Sequence, residues 1–280
     1  MNLVELRNLS EEDKSNLKGQ IVEVYLNEGR VGVASLMNCN YNSVGHFMKE
    51  LGLNQRELRN VRYRQEAMKP KLPNPFLKDT YEKYYTLGFI LGDGSVRQRR
   101  ESGCSYNLTL SSSDEEYLEN FTKVFVGAKV QYWGRGNYAI SISDYPICRW
   151  LLSYGFSQAK SFVGMHLPEI PDEYFGVFLL GLLDSDGSVL LRNKTSLVFE
   201  WVGHPSYMSE LFTRIKSLGF NVKFNVRRSN KLAFVGIYSY KDSCRMADLM
   251  YSNAPFCLER KRLRVLERYA DLKYKVDTGN

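Results

Sequence analysis

The sixteen residues YFGVFLLGLLDSDGSV, Tyr174–Val189, decide how this chain is read. Nine apolar or glycine residues, Phe175–Leu183, run directly into Asp184, Ser185, Asp186 and Gly187. The run is far short of the roughly 20 residues that cross a bilayer, so it reads as a buried helix. A related stretch, YYTLGFILGDGSV, lies upstream at Tyr84–Val96, and the aspartates Asp93 and Asp186 are 93 residues apart. A motif that recurs with its surroundings marks an internal repeat.

The surroundings do recur. After the first copy, "SYNLTLSSSD" has strand periodicity, "DEEYLENFTKVFVG" is an amphipathic helix, "KVQYWGRGNYAISISD" is a hairpin and "YPICRWLLSYGF" a second helix. After the second, "TSLVFEWVG", "PSYMSELFTRIKSLGF", "NVKFNVRRSNKLAFVGIYSY" and "KDSCRMADLMYS" follow in the same order. The expectation is an α+β protein with two pseudo-symmetric αββαββα repeats, 81–170 and 171–275. Before them, "GQIVEVYLNEG", "VGVASLMN" and "YNSVGHFMKELGL" are short helical patterns with helix-turn-helix spacing. Residues 1–69 are read as a small all-α DNA-binding module, with Asn42, His46, Lys49, Arg62 and Arg64 as its contacts. "KPKLPNP" carries three prolines, which makes 70–80 an expected linker.

Composition narrows the class. With 44% hydrophobic and 25% charged residues the chain is an ordinary globular sequence of 280 residues, long enough for two or three small cores. Five scattered cysteines fit neither a zinc spacing nor a disulfide framework. The first residues, MNLVELRNLSEED, are acidic and unlike a signal peptide. An intracellular protein of cytoplasm or nucleoid is expected, with an organelle left open and no membrane partner. The net charge of +7 is unevenly placed: residues 54–78 carry seven Lys/Arg against Glu57 and Glu66. Further basic clusters along the chain suit a polyanion that touches several parts of it.

The small residues explain why two greasy helices end on carboxylates. Gly88 and Gly92 are four apart, as are Gly181 and Ser185, and residues at i and i+4 share a helix face. Faces of small residues let two helices approach closely. Gly94 and Gly187 are expected to stop the helices in the left-handed conformation. Asp93 and Asp186 would then sit together near a pseudo-two-fold axis, each at the negative end of a helix dipole at a cost of about 0.3–1 kcal/mol. A cation would offset that cost, and oxygen donors without His or Cys favour Mg²⁺. Two such ions can activate water and stabilise the leaving oxygen of a phosphodiester.

These residues resemble the LAGLIDADG homing endonucleases in their single-chain, two-repeat form. "LLGLLDSDG" (Leu179–Gly187) matches the family signature closely; "TLGFILGDG" (Thr86–Gly94) matches it with Leu91 in place of the first Asp. The resemblance covers about residues 80–270. It implies two four-stranded sheets forming a saddle over double-stranded DNA, and a metal site at Asp93 and Asp186 with Gly92 and Ser185 beside them. Hydrolysis would leave 5′-phosphate and 3′-hydroxyl ends in a long non-palindromic site. It implies Mg²⁺, with Mn²⁺ or Ca²⁺ substituting, Ca²⁺ without cleavage, and a monomer. A lysine after the last helix of each repeat is carried over to Lys160 and Lys261, with Arg260 a one-residue alternative to the latter. Strand residues would read the groove: Arg97, Arg99, Tyr132, Arg135, Tyr138, Arg192, Lys194, Lys223, Arg227 and Lys231. The alternative on the same scaffold is an intron RNA maturase or a non-cleaving DNA-binding regulator. A metal-dependent phosphatase would leave the strand arginines unexplained.

Overall fold

The computed structural model describes residues 3–98, 106–156, 164–192, 196–227 and 231–278, the side chains of residues 192, 275, 277 and 278 excepted. The chain divides into two compact units, Met1–Lys69 and Pro70–Asn280.

In the first unit, α1 (Leu3–Arg7), α2 (Glu11–Leu36), α3 (Val44–Glu50) and α4 (Gln55–Met68) enclose a small core. Ser10 caps α2 by accepting from the Asp13 N–H, and Asn54 caps α4 by accepting from Arg56 and Glu57. Gly29 kinks α2 with φ 75°, a conformation that favours a residue without Cβ. Ile21, Val33, Val44, Phe47 and Met48 fill the interior.

In the second unit, the order α5 (Tyr81–Asp93), β1 (Gly94–Gln98), β2 (Tyr106–Ser112), α6 (Glu115–Val124), β3 (Val130–Gly134), β4 (Asn137–Ile142), α7 (Tyr145–Ser153) is repeated. The second round is α8 (Asp172–Asp186), β5 (Ser188–Arg192), β6 (Ser196–Gly203), α9 (Pro205–Ser217), β7 (Val222–Val226), β8 (Ala233–Ile237), α10 (Tyr240–Tyr251). A last helix, α11 (Glu259–Thr278), follows. Each repeat forms one antiparallel sheet, ordered β1-β2-β4-β3 and β5-β6-β8-β7. The architecture is α+β, built from two αββαββα repeats as the hydrophobic patterning predicts.

One core serves both repeats, and α5 and α8 lie in its middle. That burial on all sides explains their nearly continuous apolar sequence. Trp201 of β6, fully buried, donates its indole N–H to the Leu179 carbonyl at 3.0 Å and so ties the second sheet to α8. The proline-containing stretch 70–80, expected as a linker, is docked on the first repeat. Asp144, the cap of α7, accepts from the backbone N–H groups of Lys71 at 2.6 Å and Leu72 at 3.1 Å. Phe76, 1% exposed, stacks on Trp150 at 4.9 Å.

Candidate active site and nucleic-acid interface

The glycines of α5 and α8 face each other reciprocally. A Cβ built on Gly88 would lie 2.1 Å from the Phe178 carbonyl oxygen and 2.9 Å from the Leu182 nitrogen. On Gly181 it would lie 2.0 Å from the Tyr85 carbonyl oxygen and 3.0 Å from the Phe89 nitrogen. Adding 93 to 85, 88 and 89 gives 178, 181 and 182, so the two sets of contacts are symmetry mates. No side chain fits between these backbones, which fixes the helices at contact distance. Further along, a Cβ on Gly92 would stand 2.0 Å from the Ser185 hydroxyl oxygen and 3.1 Å from the Asp186 nitrogen. Asp93 and Asp186 therefore leave their helices side by side, Asp93 exposed and Asp186 half-buried.

Gly94 and Gly187 do not take the left-handed conformation. Their φ values are −83° and −92°, and each helix passes straight into β1 or β5. The glycine is required for another reason: a Cβ there would sit 2.5 Å from the Ile90 Cα or 2.6 Å from the Leu183 Cα. The turn is tight against the preceding helical turn, and the chain continues without reversing.

Lys261, 5% exposed on α11, closes the end of α8. Its ammonium donates to the carbonyls of Leu183 at 2.5 Å, Asp184 at 2.9 Å and Gly187 at 2.8 Å, which engages all three of its N–H groups. Burial pushes its pKa down to about 8 against the opposing fields of Asp184, Asp93 and Asp186. One ammonium thus senses both aspartates while completing the carbonyl end of a helix, a position that favours a cation. Lys160, its expected counterpart in the first repeat, lies outside the described residues. Arg260, beside Lys261, also lowers the Lys261 pKa through its charge.

Asp184 is an anchor that the sequence reading did not assign. It is 3% exposed, and its Oδ2 accepts from the Tyr85 hydroxyl at 2.6 Å and the Leu258 N–H at 2.9 Å. The Tyr85 hydroxyl also bonds to that of Tyr117 at 2.7 Å. Burial pushes the Asp184 pKa up to about 6, with the two donors working in the opposite direction. Its Oδ1 is buried without a hydrogen-bond partner. The symmetry mates are apolar: Leu91 stands for Asp184 and Phe178 for Tyr85, so only one half carries this polar pair.

Strand register assigns the faces, since alternate residues share one. Val96, Leu108, Leu110, Ile140 and Ile142 point into the core, leaving Ser95, Arg97, Asn107, Thr109, Ser111 and Ser141 on the open face. Arg97 lies there, exposed, with its Nε on the Ser95 hydroxyl at 3.1 Å. Tyr132 and Tyr138 do not. They pair with each other, in phase with the Val130–Ile140 pair, and so lie on the helix side. The Glu115 carboxylate of α6 raises the Tyr138 pKa, as expected on that side. Both tyrosines are corrected from groove-facing to helix-facing. Gln131, in register with Ala139, takes an open-face place instead. Arg135 is exposed at the hairpin tip between Gly134 and Gly136, with φ 54°.

In the second sheet Val189, Phe199, Trp201, Val235 and Phe224 face inward, which leaves Lys223, Asn225, Glu200 and Phe234 on the open face. Lys223 stands over the Tyr238 ring at 5.5 Å, and Arg227 over Phe234 at 4.8 Å. The Tyr238 hydroxyl donates to Glu200 at 2.6 Å. Lys231 is exposed in the β7–β8 hairpin. Arg192 pairs with Ser196, and its side chain lies outside the described residues, as do Arg99 and Lys194 entirely.

In the first unit, Asn42, His46 and Lys49 are exposed, while Val44, Phe47 and Met48 of the same segment are buried. Arg64 is exposed on α4. Arg62 is half-buried: its guanidinium fills the space beside Gly29, where a Cβ would sit 1.6 Å from Nη1, and it donates to the Asn27 carbonyl at 3.5 Å. Its first role is to hold the kink of α2.

No family model and no curated protein sequence matches this chain. Solved structures do. The fold of this chain, two repeats each with its own four-stranded sheet, is that of solved LAGLIDADG homing endonucleases. Among them the LAGLIDADG meganuclease I-AabMI, solved bound to uncleaved DNA, is 11% identical with a TM-score of 0.50 over 70% of this chain and 92% of that one. I-DmoI in complex with DNA and Ca is 16% identical, with a TM-score of 0.48 over 68% of this chain and 98% of that one. I-SmaMI, bound to an uncleaved DNA target in the presence of calcium ions, is 13% identical, with a TM-score of 0.46 over 71% and 99%. At these identities the likeness is one of fold.

Proposed function

We propose that the chain is a site-specific double-strand DNA endonuclease of the LAGLIDADG family, working as a monomer on a non-palindromic site. The observation that carries this reading is the convergence of Asp93 and Asp186 at the ends of two helices that their glycines hold at contact distance. Each helix leads directly into a sheet whose open face carries arginine or lysine. The two open faces differ residue by residue, hence the non-palindromic target. DNA bound across them would bring a backbone phosphate of each strand toward the acidic helix ends.

The donor chemistry fits Mg²⁺. Among the described residues no group of three or more His, Cys, Asp or Glu side chains could hold a metal, so the protein supplies chiefly the Asp93 and Asp186 carboxylates beside the helix ends at Gly92 and Ser185. A hard cation that keeps water and takes phosphate oxygens suits such a sparse oxygen set, and Mn²⁺ or Ca²⁺ would compete for it. When bound, it supplies charge neutralisation and water activation for an in-line attack. The protein's own part is placement. The interlocked helices hold the two carboxylates, Lys261 fixes the end of α8, and basic strand residues neutralise the backbone. Cleavage at the 3′-oxygen side would leave 5′-phosphate and 3′-hydroxyl ends. Residues 1–69 would add contacts through Asn42, His46 and Lys49.

The test is a cleavage selection from a library of random or host-derived sites in Mg²⁺, followed by Asp93→Asn and Asp186→Asn on the recovered plasmid. Each variant should nick one strand or do nothing. Undiminished double-strand cutting by either would refute the assignment. Site-specific binding without any cutting by the unaltered chain would favour the regulator.

A further inference from the structure

The first unit contains a feature that the endonuclease reading does not use. Arg30, Arg56, Arg59 and Arg62 converge on a cleft of about 440 Å³, and no carboxylate lines it. Among the described residues none of the four makes an ion pair. Glu66 feels the Arg62 charge from outside the cleft, but within it the guanidiniums face one another with no acid between them, and their planar forks match phosphate oxygens two at a time.

The cleft is shaped before any ligand arrives. Arg62 is fixed against the Gly29 kink, and Arg30 lies over the Tyr41 ring at 4.8 Å. The Nε of Arg30 is buried with no hydrogen-bond partner. Arg56 and Arg59, three apart on α4, are exposed and carry the open ends of the fork. α3 packs behind the cleft, against two of its lining residues: a Cβ on Gly45 would lie 2.9 Å from Arg30 Nη2 and 3.6 Å from Gln55 Oε1. Asn42, His46 and Lys49 lie at i, i+4 and i+7 around that glycine and are exposed.

We infer that the arginine cleft is a phosphate-binding site for the backbone of duplex DNA whose groove is read by the adjoining face of α3. A helix in the major groove brings its flanking elements over the sugar-phosphate rails, where contacts set register without reading sequence. Tyr41 belongs to both surfaces, as a wall of the cleft and as the neighbour of Asn42. This inference rests on the reading of residues 1–69 as a DNA-binding module.

The test uses the full chain without divalent metal, so that nothing is cut. Its probes are a duplex carrying the selected site, a random-sequence duplex of equal length and a single-stranded RNA of equal length. Affinities are measured from 50 to 300 mM salt for the unaltered chain, for Arg56→Gln/Arg59→Gln and for Asn42→Ala/His46→Ala. Each phosphate contact contributes a slope of about 0.9 in log affinity against log salt, so losing two should flatten the line by about 2 on both duplexes. Asn42→Ala/His46→Ala should narrow the gap between the selected and random duplexes and leave the slope nearly unchanged. An unaltered slope in the arginine variant, with binding weakened by the α3 variant, would overturn the cleft and leave the module's DNA binding standing. No change in either variant would overturn both. An equal loss on the RNA strand would overturn the duplex assignment. Arg56→Lys/Arg59→Lys, which keeps both charges, should restore the slope and shows that the Gln variant has not failed through misfolding.

Discussion

Replacing Gly181 by alanine puts the helix interface to its hardest test. In an ordinary helix interior the change stabilises by about 1 kcal/mol, because alanine is the better helix former. Here the new methyl would stand 2.0 Å from the Tyr85 carbonyl oxygen, where ordinary contact begins at 3.4 Å, so α5 and α8 must separate by something close to the 1.4 Å difference. The obstructing atoms are backbone and cannot rotate away. Overpacking of this kind costs about 1–3 kcal/mol, and a helix shift that opens gaps elsewhere adds to it. The net expectation is a loss of about 2 kcal/mol, read by urea unfolding of the Pro70–Asn280 transition. Displacing the helix ends by about 1 Å also moves the two carboxylates apart, and misplacement on that scale costs on the order of 100-fold in rate. Adding Gly88→Ala should cost less than a second full increment, since the separated helices already have room. A Gly181→Ala protein that is more stable and cuts normally would refute the close packing, and the placement of the aspartates with it.

Two further outcomes follow from the site. Lys261→Met should destabilise by about 2–4 kcal/mol, because buried carbonyls lose their donor. The pH sign is set by the depressed pKa of Lys261, about 8 against 10.5 unfolded. Its contribution is present above 10.5 and lost as pH falls through 8, so the stability gap between the two proteins should widen by about 3 kcal/mol from pH 8 to 10.5. A gap that stays flat in urea melts across that window would show that the lysine is not buried as described. On DNA, Arg97→Ala should weaken binding several-fold while Tyr138→Phe leaves it unchanged, measured by gel shift in Ca²⁺; the reverse order would overturn the assignment of sheet faces.

The fold was legible because its main determinants are local or repeated. The i, i+4 spacing of Gly88, Gly92, Gly181 and Ser185 marked the contact face without any knowledge of the partner. The orientation of Tyr138 is also legible in the sequence, since it shares parity with the apolar Ile140 and Ile142. Tyr132 shares parity with Val130 in the same way, since the shift in register comes only after it, between Tyr132 and Gly134. The use of Lys261 was not legible, as its three acceptors lie 74 to 78 residues away in sequence. Arg62 looked like one more member of a basic cluster, and only the φ of 75° at Gly29 shows why a guanidinium belongs inside. The left-handed stop expected at Gly94 and Gly187 failed because glycine answers two demands, unusual torsion and close approach, and a sequence does not distinguish them.

The unequal mates Tyr85/Phe178 and Leu91/Asp184 also bear on what can be engineered from this chain. A gene encoding the second half twice would bury two carboxyl groups and provide phenylalanine where each needs a hydroxyl. A gene encoding the first half twice would provide the hydroxyls and no acid to receive them. The halves have become lock and key to each other, so symmetric homodimers cut from this sequence require both positions to be rewritten together.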